Sequence, residues 1–526
     1  MDERRVPTWV SIPVALLSLA LVVHAVPAAG LFTQPDSLRQ KAQECEKKGQ
    51  WVRACGLYEQ ILKTDRHAAD AREHFQLCLR HVNQERRHRD PGFLKAVAAR
   101  PFAQALDAYE EVLLRLQANY VERDKISLTS LFQHGLTELR YALDDDAFLR
   151  RYLPNVPADK VRAFARRLEG WSVPDLPKPH EAREQARAVA MAGLEDLGLS
   201  PTASLVELAW GAGNGLDEYT VLLTPSQLSA LQASWRGETV GVGLRLASAD
   251  GKLFILSVIA NSPAEERGLR PNDRVTRIDG QATDGWSEEQ ASARLLGRAG
   301  TAVDLEVTGG AAEPPHTVHL VRQPLLVPSV EWEPVPRDGV GYVRIVAFQD
   351  GTVQELKDAL LHLQAARMKA LVLDLRGNSG GLFQAAVQVA ELFLSDGVIV
   401  FTESPLKRFR GSYRAHNANA LTLPLVVLVD GETASAAEVL AGALKDNGRA
   451  TLVGAPTYGK GSIQCPVPLE NLPAGIWITV ARFYSPARQP YSDRGVTPHV
   501  LEEVDVMGSQ RTAAWRAAQQ LVLMAR

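Results

Sequence analysis

Residues 424–444 read PLVVLVDGETASAAEVLAGAL, and the chain is organised around this stretch. Residues 424–430 form an apolar, β-branched run of strand length that ends at a glycine. Residues 439–444 carry apolar and small side chains at helical spacing, and an Asn-Gly stop signal follows them. The pattern predicts a strand, a tight turn and a helix, with Ser435 at the helix N-terminus. Free backbone N–H groups and the positive end of the helix dipole point at whatever binds there.

A second junction of the same kind lies upstream. Residues 370–375 (ALVLDL) read as a strand, residues 376–381 (RGNSGG) as a glycine-rich turn, and residues 382–394 as an apolar helix. Two helix N-termini that converge on one cleft would supply a nucleophile from one and oxyanion donors from the other.

A candidate base follows in residues 457–464 (TYGKGSIQ), which place Lys460 between two glycines. A lysine can act as a base only when it is neutral, so its ordinary pKa of about 10 must fall by several units, which burial achieves. Serine–lysine pairs are an established variant of nucleophilic catalysis. Taken singly, such a serine reads as a helix cap and such a lysine as a solvated charge, but the combination favours catalysis.

The motifs DLRGNSGG, TASAAEVLAGAL and TYGKGSIQ, in this order, resemble those of the C-terminal processing peptidases, or tail-specific proteases, over roughly residues 205–502. In that family a serine nucleophile is followed twenty-five residues later by a lysine base, and a glutamine lies four residues further on. Ser435, Lys460 and Gln464 match both spacings. The resemblance implies that Gln464 orients the lysine amine, and it implies no metal and no cofactor.

The same resemblance implies an oxyanion hole made by the N–H groups of Ala436 and of either Gly380 or Gly381. The chain departs from the family at three positions, which bear on efficiency and substrate choice: Ala437 (often Ser), Ser379 (often Pro) and His499 (usually Asp). A Ser-His-Asp arrangement would instead recruit His416 or His499, but no G-x-S-x-G motif surrounds Ser435.

Residues 236–323 change in character and become rich in short strands, glycine and turns. A GVGL segment, a later SPAEERGL segment and a predicted helix from Glu288 resemble a PDZ domain. In such a domain the glycine loop presents backbone N–H groups to the terminal carboxylate of a peptide, which adds to the sheet as a strand. The resemblance assigns this loop to Gly241, Val242, Gly243 and Leu244. It implies protein or peptide substrates with free, apolar C-termini.

The expected fold is multidomain α/β, because strands and helices alternate in the C-terminal half. The resemblance implies the βα spiral shared with crotonases and Clp proteases. Strands are expected at residues 340–346, 371–375, 398–401, 425–429 and 451–453. The expected divisions are a signal or anchor (1–30), a tetratricopeptide-like helical region (36–90), a second helical region (95–235), the PDZ domain (236–323), the catalytic domain (324–505) and a terminal helix (506–526).

The N-terminus has the features of a targeting sequence. Arg4 and Arg5 precede an apolar stretch at residues 9–26, and small residues at Ala28 and Ala29 follow. This fits a cleaved secretory signal, but the stretch is nearly long enough for a retained membrane anchor, and both alternatives stand. Either one predicts that the rest of the chain works outside the cytoplasm, in the periplasm or as a secreted protein.

Composition excludes some other classes. The formal net charge of −3 implies no nucleic-acid partner, and four cysteines form neither a disulfide framework nor a metal-binding pattern. Only one tetratricopeptide-like unit is visible, so residues 36–90 are either a simple helical cap or a docking surface for a partner protein. The sequence therefore predicts an exported serine endopeptidase. The alternative is a catalytically inert PDZ and helical-repeat adaptor.

Overall fold

The computed structural model describes residues 35–65, 68–249, 251–286, 288–309, 314–336, 338–502 and 509–524. The signal or anchor expected at residues 1–30 lies outside these ranges. Within them, no helix combines the length and the apolar composition that crossing a bilayer requires.

As far as the structure describes them, residues 35–214 form helices joined by loops. The helices are α1 (Pro35–Lys47), α2 (Trp51–Thr64), α3 (Ala69–Arg89), α4 (Pro91–Ala96), α5 (Phe102–Asn119), α6 (Leu128–Ala142), α7 (Asp146–Tyr152), α8 (Ala158–Glu169), α9 (Pro179–Leu197) and α10 (Pro201–Asn214). The first three pack around a small core of their own, which includes Ala54, Tyr58 and Cys78. Helices α5, α6 and α10 instead contribute their buried faces to the large core of the catalytic domain.

Helix α3 is held to α6 and α10 by buried charges. Glu207 accepts from Arg87 (Nη2–Oε2, 2.6 Å) and contacts His88 (Nε2–Oε1, 2.9 Å). Glu138 pairs with Arg80 at 2.9 Å. Both carboxylates are fully buried. Ion pairs that are removed from water in this way fix the geometry of the helices they join, because leaving either charge alone would be costly.

The middle of the chain is a small β-rich unit. It follows β1 (Val221–Leu223) and α11 (Pro225–Trp235), and its elements are β2 (Glu238–Gly241), β3 (Leu244–Ala249), β4 (Lys252–Val258), α12 (Pro263–Glu266), β5 (Arg274–Ile278), β6 (Gln281–Ala282), α13 (Glu288–Leu295), β7 (Ala302–Thr308), β8 (His316–Val321) and β9 (Gln323–Leu326). The sheet order is β3-β4-β5-β7-β8, with β6 on β5, and a β2–β9 ribbon ties the unit to the rest of the chain. Alternating residues of these strands bury a separate core, which includes Leu253, Val275 and Leu305.

The C-terminal part carries the larger sheets. Its elements are β10 (Val330–Glu333), β11 (Val340–Ile345), α14 (Thr352–Ala365), β12 (Ala370–Asp374), α15 (Phe383–Glu391), β13 (Asp396–Glu403), β14 (Gly411–His416), β15 (Leu425–Val429), α16 (Ala436–Asp446), β16 (Thr451–Gly454), β17 (Ser462–Pro468), β18 (Gly475–Tyr484), β19 (Val500–Leu501) and α17 (Ser509–Met524). One sheet has the order β10-β11-β12-β15-β16-β19 and is parallel from β11 onward. The other is antiparallel, with the order β1-β18-β13-β14 and β17 on β18.

The central strands explain this architecture. Every residue of β12 and β15 is buried, as expected for parallel strands that are covered on both faces. Helix α17 covers one face through Ala514 and Ala518. The other face joins the large core. The carboxyl ends of β12 and β15 meet at one edge of the sheet, and the two junctions singled out in the sequence begin there.

The expected multidomain α/β fold is confirmed, and the five strands expected in the catalytic part are β11, β12, β13, β15 and β16. The antiparallel sheet was not predicted. Strand β17 contains Pro466 and Pro468, and β18 is buried along almost its whole length, so neither shows the alternation typical of an antiparallel strand. Strand β1 pairs with β18, although it lies in the part of the chain that was expected to be helical.

Candidate active site

Ser435 lies in the turn between β15 and α16, immediately before the first helical residue. Its φ of 57° and ψ of −117° place a non-glycine residue in a sparsely populated region, which costs on the order of 1–3 kcal/mol. The side chain is fully buried, and its Oγ has no hydrogen-bond partner in the part of the chain that the structure describes. A strained, buried and unpaired hydroxyl is poorly explained as a helix cap, because it caps nothing.

A buried carboxylate joins the serine turn to the lysine loop. Glu438 accepts hydrogen bonds from the backbone N–H groups of Ser435 (2.7 Å), Gly459 (2.7 Å) and Lys460 (2.9 Å), and from Thr457 Oγ1 (2.6 Å). One oxygen, Oε2, takes both the Ser435 and the Lys460 N–H. Burial raises the pKa of Glu438 to about 7, although these hydrogen bonds oppose the rise. The main chains of the two motif residues are therefore fastened to a single atom.

Lys460 is buried, with only 2% of its surface exposed. Its Nζ lies 4.7 Å from the centre of the Tyr219 ring. Burial lowers the pKa of Lys460 to about 7, against the carboxylates of Glu218, Asp217 and Glu438, which raise it. A lysine in this setting is neutral in a large fraction of molecules near neutral pH, and a neutral amine is what a general base requires.

Gln464 lies on β17 and is fully buried. Its Nε2 donates to Ser462 Oγ (2.9 Å) and to Thr479 Oγ1 (3.2 Å), which fixes the orientation of the amide. Its Oε1 has no hydrogen-bond partner among the described residues. The amide therefore offers a buried acceptor in the neighbourhood of the lysine loop. The structure records Ser435 Oγ as unpaired, so the hydroxyl and the lysine amine are not hydrogen-bonded to each other in it.

The glycine-rich turn after β12 lies against the serine. A Cβ added to Gly380 would lie 2.9 Å from Ser435 Cβ and 3.1 Å from the Ala436 nitrogen, so only glycine allows this approach. The Gly380 N–H donates to Asn378 Oδ1 at 2.8 Å, and the Asn378 carbonyl accepts from the residue before Ser435 at 2.9 Å. The two helix N-termini expected to converge are thus neighbours.

Gly381 follows with a φ of +133° and forms a parallel bridge to Phe348, three residues after β11. A side chain there would collide with the Phe348 carbonyl, 2.1 Å from an added Cβ. The turn is therefore held between the sheet on one side and the serine on the other.

The predicted carboxylate loop lies in the β-rich unit, far along the chain from the serine. Gly241 ends β2, and Leu244 begins β3. The carbonyls of Val242 and Gly243 accept hydrogen bonds from later residues of the same unit, so the loop is fixed. Strand β3 pairs only with β4 among the described strands, and α13 packs beside it. A strand edge beside a helix is the form of groove into which a peptide adds as a further strand.

Two contributors to the site were not identified from the sequence. Glu438 follows Ser435 by three residues, the spacing of a capping box, which could have indicated it. Tyr219 gives no such signal, because it reaches Lys460 from more than two hundred residues earlier in the chain.

Comparison with known proteins identifies two regions of the chain. The model of peptidase family S41 matches residues 339–501, and a PDZ domain model matches residues 254–308. A carboxyl-terminal-processing protease of Synechocystis sp. is 40% identical over 294 residues, which cover 55% of this chain and 68% of that protein. A protein of the same name from Picosynechococcus sp. is 37% identical over 318 residues, covering 58% of this chain and 76% of the relative. A solved photosystem II D1 C-terminal processing protease is 29% identical, with a TM-score of 0.40, and covers 74% of this chain and 97% of that one.

The fold and the matches together define a serine peptidase that carries a PDZ domain, and its substrates are proteins or peptides. The chain belongs to peptidase family S41.

Proposed function

We propose that this chain is a carboxyl-terminal processing endopeptidase that works with a Ser435–Lys460 dyad. The observation that carries the proposal is the shared Glu438 oxygen, which accepts hydrogen bonds from the main chains of both residues. The serine hydroxyl is buried and has no hydrogen-bond partner among the described residues. The lowered pKa of Lys460 supports its role as the base.

The geometry supports the following sequence of steps. Neutral Lys460 accepts the proton of Ser435 Oγ, and the oxygen attacks the scissile carbonyl carbon. The lysine ammonium then gives the proton to the leaving amine, which produces an acyl-enzyme that water hydrolyses. The Gln464 Oε1 accepts a hydrogen bond from the lysine and holds it in position.

The oxyanion of the tetrahedral intermediate is stabilised by backbone N–H groups. Ala436 supplies one of them, because it opens α16 next to the nucleophile. The second comes from the glycine turn. The candidates are Gly380, whose N–H donates to Asn378 Oδ1 at 2.8 Å, and Gly381.

The PDZ unit captures the C-terminal tail of the substrate. The carboxylate binds the loop from Gly241 to Leu244, and the tail adds to the open edge of β3. We also propose that the protein acts outside the cytoplasm, on the basis of the apolar N-terminal stretch, which lies outside the described residues. The inert adaptor remains the second candidate, since a PDZ unit alone would bind tails without cleaving them.

Hydrolysis of an unfolded protein by the purified enzyme separates the two. Ser435→Ala should abolish cleavage while leaving the circular dichroism and melting temperature close to those of the wild type. Ser412→Ala, at an exposed serine of β14, should cleave normally. Cleavage by Ser435→Ala at the wild-type rate would contradict the assignment of the nucleophile, and no cleavage by the wild type would favour the adaptor.

A further inference from the structure

Helix α3 of the N-terminal unit reaches two segments that enclose the lysine. Arg72 Nη2 lies 3.2 Å from Asp493 Oδ1, and Nη1 lies 3.8 Å from Glu218 Oε1. The three residues come from the N-terminal helices, the segment before β1 and the loop before β19. The arginine is 35% exposed and Glu218 only 18%, so this contact is partly shielded from solvent.

Both carboxylates belong to segments that contact Lys460 or the residue before it. Glu218 immediately precedes Tyr219, whose ring lies 4.7 Å from Lys460 Nζ. The Asp493 N–H donates to the carbonyl of Gly459, the residue before the lysine, at 3.0 Å. Arg72 thus contacts both of the segments that lie against Lys460 and Gly459, one through each carboxylate.

We propose that Arg72 is a positioning residue for Lys460. Arg72 clamps Glu218 and Asp493 around the lysine, and its positive charge offsets the negative charge of Glu218. The N-terminal helices are then a working part of the peptidase site and more than a cap or a docking surface. This inference rests on the proposed role of Lys460 as the base.

The charges around the clamp fix the sign of its effect. The groups that act on Lys460 are the carboxylates of Asp217, Glu218 and Glu438 and the ring of Tyr219. Each of the three carboxylates favours the protonated lysine when it is ionised. Without Arg72, the charge of Glu218 would act on the lysine uncompensated, so the ammonium form would be stabilised and less neutral base would be present at neutral pH.

The groups that face Arg72 are the carboxylates of Glu218 and Asp493 and the hydroxyls of Tyr219 and Tyr458. Burial raises the pKa of both hydroxyls above the ordinary value, so both are neutral at working pH. The two carboxylates are therefore the charged partners of Arg72 that the clamp depends on.

The test is the pH profile of kcat/KM for full-length variants acting on one peptide. Arg72→Ala should move the acid limb upward by about half a pH unit or more and lower kcat at pH 7 by roughly 3- to 10-fold. Glu218→Gln should move the same limb downward. Arg72→Lys, which keeps the charge, should recover most of the wild-type profile.

Arg39→Ala is the matched control. Arg39 pairs with Asp70 at 2.7 Å within the same helical unit and is similarly exposed, but neither residue is among the groups that shift the pKa of Lys460. This variant should leave the profile unchanged. Equal shifts in Arg39→Ala and Arg72→Ala would overturn the proposal, as would a wild-type profile in Arg72→Ala.

If Arg72→Ala fails to fold, Glu218→Gln provides the test. An acid limb of the kcat/KM profile at the wild-type pH in that variant would overturn the clamp. Failure of the clamp is distinguishable from failure of the dyad. In the first case Lys460→Arg is still inactive, and in the second it retains activity.

Discussion

At the scale of single residues, the proposed mechanism makes activity depend on the charge of Lys460. Because its pKa is lowered to about 7, the neutral and active form becomes dominant as the pH rises through 7. We expect kcat/KM to rise with pH, to reach half its maximum near pH 7 and to level off above. Lys460→Arg should be inactive at every pH, since a guanidinium stays protonated. Activity of Lys460→Arg above about a tenth of the wild type would contradict the dyad.

The buried Lys460 side chain also lowers the free energy of unfolding. The unfolded chain keeps this lysine protonated up to about pH 10.5, whereas the folded chain releases the proton near pH 7. Its folded-state pKa is the lower one, so the penalty is complete below pH 7, shrinks between pH 7 and 10.5 and vanishes above. Lys460→Met should therefore unfold with a higher free energy at pH 7, by on the order of a few kcal/mol.

Urea unfolding at pH 7 and at pH 10 checks this expectation. The advantage of Lys460→Met over the wild type should narrow at the higher pH. Lys407→Met, at an exposed lysine, should show no such dependence. A Met variant that is less stable than the wild type at pH 7 would show that the amine is better solvated than its burial indicates.

Local patterns in the sequence were sufficient to predict the part of the candidate site that lies at the two strand–turn–helix junctions. Ser435, Ala436 and the glycine turn could be inferred because each lies at a strand–turn–helix junction with its own signal. Arg72 and Tyr219 could not be inferred, since nothing in a local pattern reports contacts across hundreds of residues. The state of Gln464 also depended on the fold, because its amide is oriented by Thr479 on a strand that was not predicted.

At the scale of elements, the open edge of β3 makes tail recognition testable. A free carboxylate forms charge-assisted hydrogen bonds with the loop, which are roughly twice as strong as neutral ones. We expect a peptide with a free C-terminus to be cleaved with a kcat/KM about tenfold higher than its amidated twin. The preferred last side chain should be small or apolar, because the loop adjoins the apolar core of this unit, which includes Ile255 and against which Leu244 packs.

Gly243→Ala should remove that preference. Gly243 has a φ of +85°, and an added Cβ would lie 2.1 Å from Ser262 Cβ, so the loop must change shape. Gly285→Ala introduces similar backbone strain (φ +78°) on an exposed turn with no atom within 4 Å, and it should keep the preference. Equal cleavage of the two peptides by the wild type would contradict tail recognition even if Ser435 proved to be the nucleophile.

At the scale of the whole molecule, the buried charges of α3 join the N-terminal helices to the peptidase. Burial alone would raise the pKa of Glu207, but Arg87 and His88 outweigh it and lower the pKa to about 2. The folded-state value is thus below the ordinary 4.5, so this stabilisation is complete above pH 4.5 and is lost as the pH falls toward 2. Glu207→Gln should lower the free energy of unfolding at pH 7 by about 3 kcal/mol.

Chemical unfolding at pH 7 and pH 3 checks this result, and the difference from the wild type should shrink at pH 3. Glu85→Gln, which breaks the more exposed pair with Arg89, should cost about 1 kcal/mol or less. A loss for Glu207→Gln as small as that of Glu85→Gln would mean that α3 is held mainly by apolar contacts. The long helices of this region were expected from the sequence, but their attachment through a charge network was not.

The shared oxygen of Glu438 also bears on timing. It joins the backbones of Ser435 and Lys460, so we expect the hydrogen bond between hydroxyl and amine to form through torsions of the two side chains. Side-chain rotations are far faster than the microsecond-to-millisecond movements of domains and lids. We therefore expect the catalytic pair to equilibrate many times during each visit of a substrate. Turnover would then be limited by the binding of the substrate polypeptide and the release of the products, and the arrangement of the catalytic pair would not limit it.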